Sequence, residues 1–347
     1  MITAILLLPA FQYAFAGDKD DDKVSPLFQS NDPLTLSISA PFSTINLDRD
    51  DDKRSYEAGT LSMTDKNGQA IRLDLEIRVR GNFRARRDIC SNPPLKLNFK
   101  RKQLANTIFA GENKLKLVDQ CKNYDYYEQY LLLEYLNYRV YQLFTDDSLR
   151  VRLATVNYYD SEDKRDLGTR TAFFIEDIGR MAKRVGMKEV HQEKLQPADY
   201  DPARINLVDV YEYFIGNTDW SSIMGPEGDE CCHNIIPLSR KGGTLIPVPY
   251  DFDLAGMVNA RYAEVSDLLP IRSVRQRLYR GFCQSDAVLQ KTFAAFIEKR
   301  DAIKALYQNQ PGLTERSLNY SLKYIDDFYD TIQDKNKVDR AFNQKCR

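Results

Sequence analysis

The stretch that decides the fold is residues 214–256, which read FIGNTDWSSIMGPEGDECCHNIIPLSRKGGTLIPVPYDFDLAG. Two short apolar runs in it, IIPL and TLIPVPY, flank a Lys-Gly-Gly turn, and this pattern predicts a β-hairpin. Asn234 stands just before the first run and Asp251 just after the second. Because antiparallel pairing brings these two ends together, we expect Asn234 and Asp251 to lie side by side, with Asp219 arriving from the preceding loop.

The polar side chains of this hairpin suit a hard metal ion, because Mg²⁺ and Mn²⁺ prefer carboxylate and amide oxygens as ligands. The predicted metal ligands are Asn234, Asp251 and Asp253. Sites of this kind often support phosphoryl transfer, in which the metal and the positioning of the substrates supply most of the catalysis. The structural alternative is that these residues only cap helices and close turns, which is a common role of Asp and Asn.

Composition narrows the classes of function. The chain has 347 residues, and its 49 Lys and Arg residues nearly balance its 50 Asp and Glu residues. A general nucleic-acid binder would carry a large basic excess, so we expect no nucleic-acid partner. Only 2 His residues occur, which excludes a zinc site built on three histidines.

The N-terminal residues suggest export. Residues 1–16 combine a short apolar run with an Ala-Phe-Ala end, which predicts a secretory signal peptide, although no Lys or Arg precedes the run. Residues 17–33 then predict a flexible leader. No later stretch is apolar and long enough for a membrane span, so we expect a periplasmic or extracellular protein.

Six cysteines are compatible with an oxidising compartment. We expect Cys90 to pair with Cys121 and Cys283 with Cys346. Cys231 and Cys232 are adjacent, and they are left either to pair with each other or to take distant partners.

Hydrophobic periodicity divides the chain into a β-rich part, residues 34–178, and a mainly helical part, residues 179–347. Alternation of apolar and polar residues predicts strands in the first part, with an Asn-Gly hairpin turn, at 34–40, 59–63, 71–79, 95–99, 113–118, 149–158 and 171–175. Helical spacing predicts helices at 124–144, 181–190, 205–215, 273–283, 285–308 and 314–333.

A glycine turn rich in arginine follows the strand that ends at Arg80. Gly81 begins the sequence GNFRARR, and Lys96 projects from the next predicted strand. Such a turn can cover an anionic group, because guanidinium groups bind phosphate and carboxylate well. The alternative is that these arginines form surface salt bridges.

The order of these motifs resembles the CotH-type spore-coat protein kinases, an atypical branch of the protein-kinase-like fold. The resemblance covers about residues 34–300. Its matching pieces are RVRGN at 78–82, PPLKLNF at 93–99, the helix from 124, FIED at 174–177, NTD at 217–219, HN at 233–234 and PYDFD at 249–253. It implies an α+β, kinase-like fold with a β-rich N-lobe holding one long helix and a mainly helical C-lobe carrying the hairpin.

The resemblance also implies roles for individual residues. Asp219 and Lys96 would be catalytic: Asp219 would orient or deprotonate the acceptor hydroxyl, and Lys96 would contact the nucleotide phosphates. A carboxylate of the long helix, Glu128 or Glu134, would position Lys96. Asn234 and Asp251 would hold Mg²⁺ or Mn²⁺, with Asp253 in support. The remaining nucleotide contacts would come from Arg80, Gly81 and, at the hinge, Glu176.

The chain departs from the family pattern in two places. Kinases place the metal-binding Asn a few residues after the catalytic Asp, whereas here the insert 224–232 separates Asp219 from Asn234. The phosphate-covering turn has one glycine and several arginines, without the G-x-G-x-x-G or Walker pattern.

Three functions are compatible with the sequence. The first is an exported, metal-dependent phosphotransferase that uses ATP and a protein or other hydroxyl-bearing acceptor. The second is a catalytically inactive member of the same fold that binds partners at the envelope or cell surface. The third is a metal-dependent phosphoester hydrolase, which would release phosphate to water.

Overall fold

The structure is a computed structural model that describes residues 23–49 and 54–347. The predicted signal peptide at 1–16 and the first part of the predicted leader, residues 17–22, lie outside the described residues.

The first half of the chain forms a closed barrel of seven strands. Its strands are β1 (Leu34–Ala40), β2 (Glu57–Thr64), β3 (Ala70–Val79), β4 (Leu95–Phe99), β5 (Lys114–Asp119), β6 (Val151–Asp160) and β7 (Arg165–Ile175). The predicted strands are therefore confirmed, and Gly68 supplies the positive φ of 81° that the Asn-Gly turn between β2 and β3 requires.

The barrel overturns the expected kinase-like fold. The strand order is β1-β2-β3-β4-β5-β7-β6, and β1 pairs in parallel with β6 over its whole length, from Leu34 opposite Ala154 to Ala40 opposite Asp160. That parallel pair closes the sheet on itself, so the molecule is not a kinase-like bilobal structure. The α+β, kinase-like prediction is wrong because periodicity identifies strands but does not say which distant strand each one joins.

Every second residue of each strand points into the barrel, and these side chains fill its interior, as expected for a small barrel. In β4, for example, Leu95, Leu97 and Phe99 are buried, whereas Lys96 and Asn98 lie on the outer face. This alternation fixes which strand residues are available to a site outside the barrel.

The second half is mainly helical and carries a small sheet. The helices of the described chain are α1 (Phe42–Leu47), α2 (Asp125–Tyr141), α3 (Ile178–Arg184), α4 (Pro202–Ile215), α5 (Asp286–Gln308), α6 (Glu315–Ile332) and α7 (Lys335–Val338). Three short strands, β8 (Lys188–Glu189), β9 (Ile235–Ser239) and β10 (Leu245–Pro249), form an antiparallel sheet in the order β10-β9-β8.

The helix predictions are confirmed except at two places. Residues 273–283 do not form a helix, although their spacing predicted one; they run irregularly and use arginine side chains to bind other segments. In place of the predicted helix at 181–190, α3 ends at Arg184 and residues 188–189 form the strand β8. The short helix α1 was not predicted.

The outer face of the barrel and the helical part share one hydrophobic cluster, and the barrel interior forms a second one. Outer-face residues of β5, β6 and β7, such as Val118, Leu153 and Phe173, pack in the same cluster as α2 and the C-terminal helices. The part of the outer sheet face that β5, β6 and β7 form is therefore covered, and buried residues of the hairpin β9–β10, such as Ile236 and Val248, belong to the same cluster.

Three disulfides join cysteines of the described chain. Cys90–Cys121 and Cys283–Cys346 are bonded as predicted, and Cys231 pairs with the adjacent Cys232. Three disulfides fit a secreted protein. Within residues 23–49 and 54–347, none of the helices combines the length and the apolar character needed to cross a bilayer.

The turn that ends α4 yields a stability prediction. Gly216 has a φ of 69°, and a Cβ there would overlap the hydroxyl of Tyr324; Gly68 has a φ of 81° with open space around it. Gly68→Ala should cost about 1–2 kcal/mol through its left-handed backbone alone. Gly216→Ala should cost a further ~1–3 kcal/mol because buried atoms must move. Urea unfolding of both variants measures the difference, and equal losses would contradict the packing described here.

Candidate functional site

The hairpin β9–β10 brings Asn234 and Asp251 together as the sequence predicted. Pro249 lies opposite Ile235, and the Tyr250 N–H donates to the Asn234 carbonyl at 3.1 Å. Asn234 and Asp251 both have left-handed backbone, with φ of 53° and 63°. Residues other than glycine rarely adopt this backbone conformation, and Asn and Asp tolerate it best. Two such residues at one hairpin mouth are typical of a functional site.

Asp219 reaches the hairpin from the loop after α4. Its N–H donates to the Asn217 side-chain oxygen at 3.0 Å. The guanidinium of Arg280 donates to the carbonyl oxygens on both sides of it, those of Thr218 and Trp220. Asp219 therefore projects from a loop that is fixed at three consecutive residues.

The Asp219 carboxylate is hydrogen-bonded to both residues that precede β9. One oxygen lies 2.9 Å from His233 Nε2, and the other accepts from the Asn234 side-chain nitrogen at 3.0 Å. The hydrogen bond with Asp219 raises the pKa of His233, and the negative charge of Asp251 raises it further. The direct partner of His233 is therefore Asp219.

The three carboxylates of the site differ in exposure. The side chains of Asp219 and Asp251 are 40% and 39% exposed, whereas that of Asp253 is 9% exposed. The Asp251 N–H donates to the Tyr138 hydroxyl of α2 at 2.9 Å, which fixes the backbone at this corner. Asp219 and Asp251 are thus the carboxylates that a ligand can reach.

Arg84 is the buried centre of the site. Its guanidinium makes two hydrogen bonds to Glu134 of α2, at 2.9 and 3.2 Å. Its Nε lies 3.3 Å from a carboxylate oxygen of Asp253, and its Nη2 lies 3.9 Å from one of Asp251. Burial raises the pKa of both Glu134 and Asp253, and the positive charge of Arg84 opposes each shift.

The structure does not form the predicted pair between Lys96 and a helix carboxylate. Glu134 binds Arg84 instead, and Glu128 accepts a hydrogen bond from the Thr171 hydroxyl at 2.5 Å. Asp253 likewise pairs with Arg84, and its side chain is buried. A metal ion would therefore reach Asp253 less easily than Asp219 or Asp251.

Other predicted nucleotide contacts are placed differently from the expectation. Glu176 is buried in a two-point ion pair with Arg184, with both N–O distances 2.9 Å, which gives it a structural role. Gly81, with a φ of 76°, begins the loop that carries Arg84, and its carbonyl accepts from Arg54. Arg80 lies at the end of β3, close enough for its charge to lower the pKa of Lys116.

The outer wall of the barrel carries a row of cations that ends beside the hairpin at Lys116. Lys96 on β4 lies directly opposite Arg78 on β3 and directly opposite Lys116 on β5. The Lys116 ammonium is 5.3 Å from the centre of the Tyr250 ring, next to Asp251. Sequence reasoning missed Arg78 and Lys116; the alternation of β3 and β5 places both outward, but only the strand register shows that they align.

The mouth of the hairpin contains oxygen atoms that could bind a metal ion. Among the described residues, no three Asp, Glu, His or Cys side chains come together as a metal-binding group. The hairpin offers the exposed carboxylate of Asp251 and the amide oxygen of Asn234, and the loop after α4 adds the exposed carboxylate of Asp219, whose two oxygens are hydrogen-bonded to His233 and Asn234. This set fits Mg²⁺, which typically takes one or two carboxylates and completes its shell with waters and substrate phosphates.

Comparison with known proteins adds no identification: no known protein family and no curated protein matches this chain.

The contact between Asp219 and His233 predicts a titration. Asp219→Asn should lower the pKa of His233 towards its ordinary value of 6.5, and Asp251→Asn should lower it by less. Proton NMR of the histidine ring signals measures this directly. His191, which contacts the distant Glu230, is the internal control. An unchanged His233 titration in Asp219→Asn would show that the carboxylate does not contact the ring.

Proposed function

We propose that this chain is an exported, Mg²⁺- or Mn²⁺-dependent phosphotransferase that moves a phosphoryl group from ATP to a protein or other hydroxyl-bearing acceptor. The observation that carries the proposal is the meeting of Asp219, Asn234 and Asp251 at the hairpin mouth, beside the end of the row of cations on the barrel wall. We propose the relationship to CotH-type proteins on these motifs alone, because the fold expected from it is not the one observed.

The proposed roles follow from exposure and hydrogen bonding. Asp219 is held by its loop and is partly exposed, so it is suited to orient an acceptor hydroxyl and accept its proton. Its partner His233 is suited to hold positive charge beside it. Asn234 and Asp251 would hold the metal ion, which when bound would neutralise charge on the phosphates. Lys96 would contact the phosphates from the barrel side.

One observation favours a second candidate, a non-catalytic binding protein. Asn234 donates to both the side chain and the backbone carbonyl of Asp219, at 3.0 and 2.7 Å. Such contacts are also those of a residue that closes a turn. In that case Asp219 and Asn234 would maintain the loop, and no phosphoryl transfer would occur.

Thermal unfolding with ATP and Mn²⁺ separates the two candidates. A ligand that binds only the folded state adds about 2.7 kcal/mol at a hundredfold excess over its Kd. We expect a metal-dependent rise in unfolding temperature that Asp251→Asn abolishes. The substitution removes a charge, keeps the size and suits the left-handed backbone. Asp74→Asn, on an exposed part of β3, is the matched control and should keep the rise.

The thermal measurement tests for the nucleotide and metal site, and labelled ATP then distinguishes transfer from hydrolysis. A rise that Asp251→Asn retains, or no rise with either Mg²⁺ or Mn²⁺, would overturn the proposed phosphotransferase. If the rise occurs, labelled ATP distinguishes the reaction: Asp219→Asn should keep the binding and lose transfer to a hydroxyl acceptor. Release of phosphate to water without transfer would instead identify a hydrolase.

A further inference from the structure

We infer that the row of cations on the outer barrel wall, formed by Arg78, Lys96 and Lys116, is a binding site for a phosphate chain, as found in nucleoside polyphosphates and inorganic polyphosphate. The role of this cation row beside Asp251 depends on the proposed function. Its ligand class is nevertheless testable without any metal or any reaction.

The register of the sheet aligns the three charges. Arg78 of β3 is the direct partner of Lys96 of β4, which is the direct partner of Lys116 of β5. Neighbouring strands lie about 4.8 Å apart, so the row spans roughly 10 Å across three strands. It therefore matches an extended chain of anionic groups better than a single phosphate.

This alignment works against the stability of the free protein. Like charges directly opposite each other on a sheet destabilise it. Burial lowers the pKa of Lys116 to about 8, and the neighbouring charge of Arg80 contributes in the same direction. The pKa of Lys96 is lowered by burial and by the charge of Arg78. A polyanion would relieve this repulsion.

The charges of Asp251 and Asp177 act on the row only from a distance, and neither carboxylate forms an ion pair with it. Among the described residues, none of the carboxylates lies within ion-pair distance of Arg78, Lys96 or Lys116; the carboxylates of the site bind Arg84 and His233 instead. Arg78 also buries its Nε without a hydrogen-bond partner in the described chain. By contrast, one pair further along the same face Glu76 accepts a hydrogen bond from Asn98 at 2.6 Å. Lys114, which lies opposite Asn98 on β5, adds a further positive charge beside the row.

Calorimetric titration in metal-free buffer tests the inference, with tripolyphosphate, ATP and AMP as probes. Tripolyphosphate and ATP should bind, AMP should bind at least tenfold more weakly, and added salt should weaken all binding by screening. Lys96→Met and Lys116→Met should each weaken tripolyphosphate binding about tenfold or more, and Lys116→Arg should restore it. If ATP binds more tightly than tripolyphosphate, the row is a nucleotide site. If the two bind equally, the row recognises the phosphate chain alone.

Two controls make the result specific. Lys100→Met, which removes an exposed lysine just beyond β4, should leave binding unchanged. Lys116→Met should leave the unfolding temperature of the free protein unchanged or higher, since it removes repulsion. Absence of tripolyphosphate binding, equal losses in Lys100→Met, or AMP binding as tight as ATP would overturn the inference. Asp251→Asn should keep tripolyphosphate binding, so failure of the metal site and failure of the cation row are distinguishable.

Discussion

The buried guanidinium of Arg84 is the interaction on which the site depends. It joins three segments that are distant in sequence: the loop after β3, which carries it, Glu134 on α2, and Asp253 after β10. Removing one partner of a buried ion pair typically costs 3–5 kcal/mol, because an uncompensated charge is left behind. The position of Asp253 in turn fixes its neighbour Asp251, whose backbone is also anchored to Tyr138. One cation of the barrel part therefore positions the acidic hairpin of the helical part.

Two opposed surfaces result from this anchoring. On one side the exposed Asp219 and Asp251 stand at the mouth of the hairpin, with Asn234 and Asp251 held in left-handed backbone. On the other side the barrel wall presents aligned cations that have no carboxylate within ion-pair distance in the described chain, and this row ends at Lys116, beside Tyr250. Both surfaces keep features that reduce stability, and proteins commonly retain such features where they bind ligands. A metal ion with a phosphate chain would compensate both surfaces at once.

The sequence predicted what is local and missed what depends on distant pairing. The hairpin that joins Asn234 to Asp251 was predictable because its two strands are separated only by a short turn, and the strands of the barrel were predictable from their alternation. The closure of the barrel was not, because nothing in the periodicity of β1 names β6 as its partner. The same limit applies to the helix carboxylate expected to pair with Lys96, Glu128 or Glu134: Glu134 binds Arg84 and Glu128 binds Thr171. A carboxylate on a helix is recognisable from the sequence, whereas its partner is determined by the tertiary fold. The kinase-like fold failed for this reason although the motifs occur in the expected order.

The most direct measurement is the free energy of unfolding of Arg84→Met at pH 5 and pH 8, beside Arg86→Met. Without Arg84, Glu134 and Asp253 must be protonated to remain buried. Above the ordinary pKa of a carboxyl group, the folded state then binds more protons than the unfolded state. The free energy of unfolding therefore falls as the pH rises. Arg84→Met should therefore lose about 3–5 kcal/mol at pH 8 and clearly less at pH 5. Arg86→Met, which removes an exposed pair with Asp88 and a contact with the Phe83 ring, should change stability by less than about 1 kcal/mol at either pH. An equal loss at both pH values, or a loss no larger than that of Arg86→Met, would contradict the central role of Arg84.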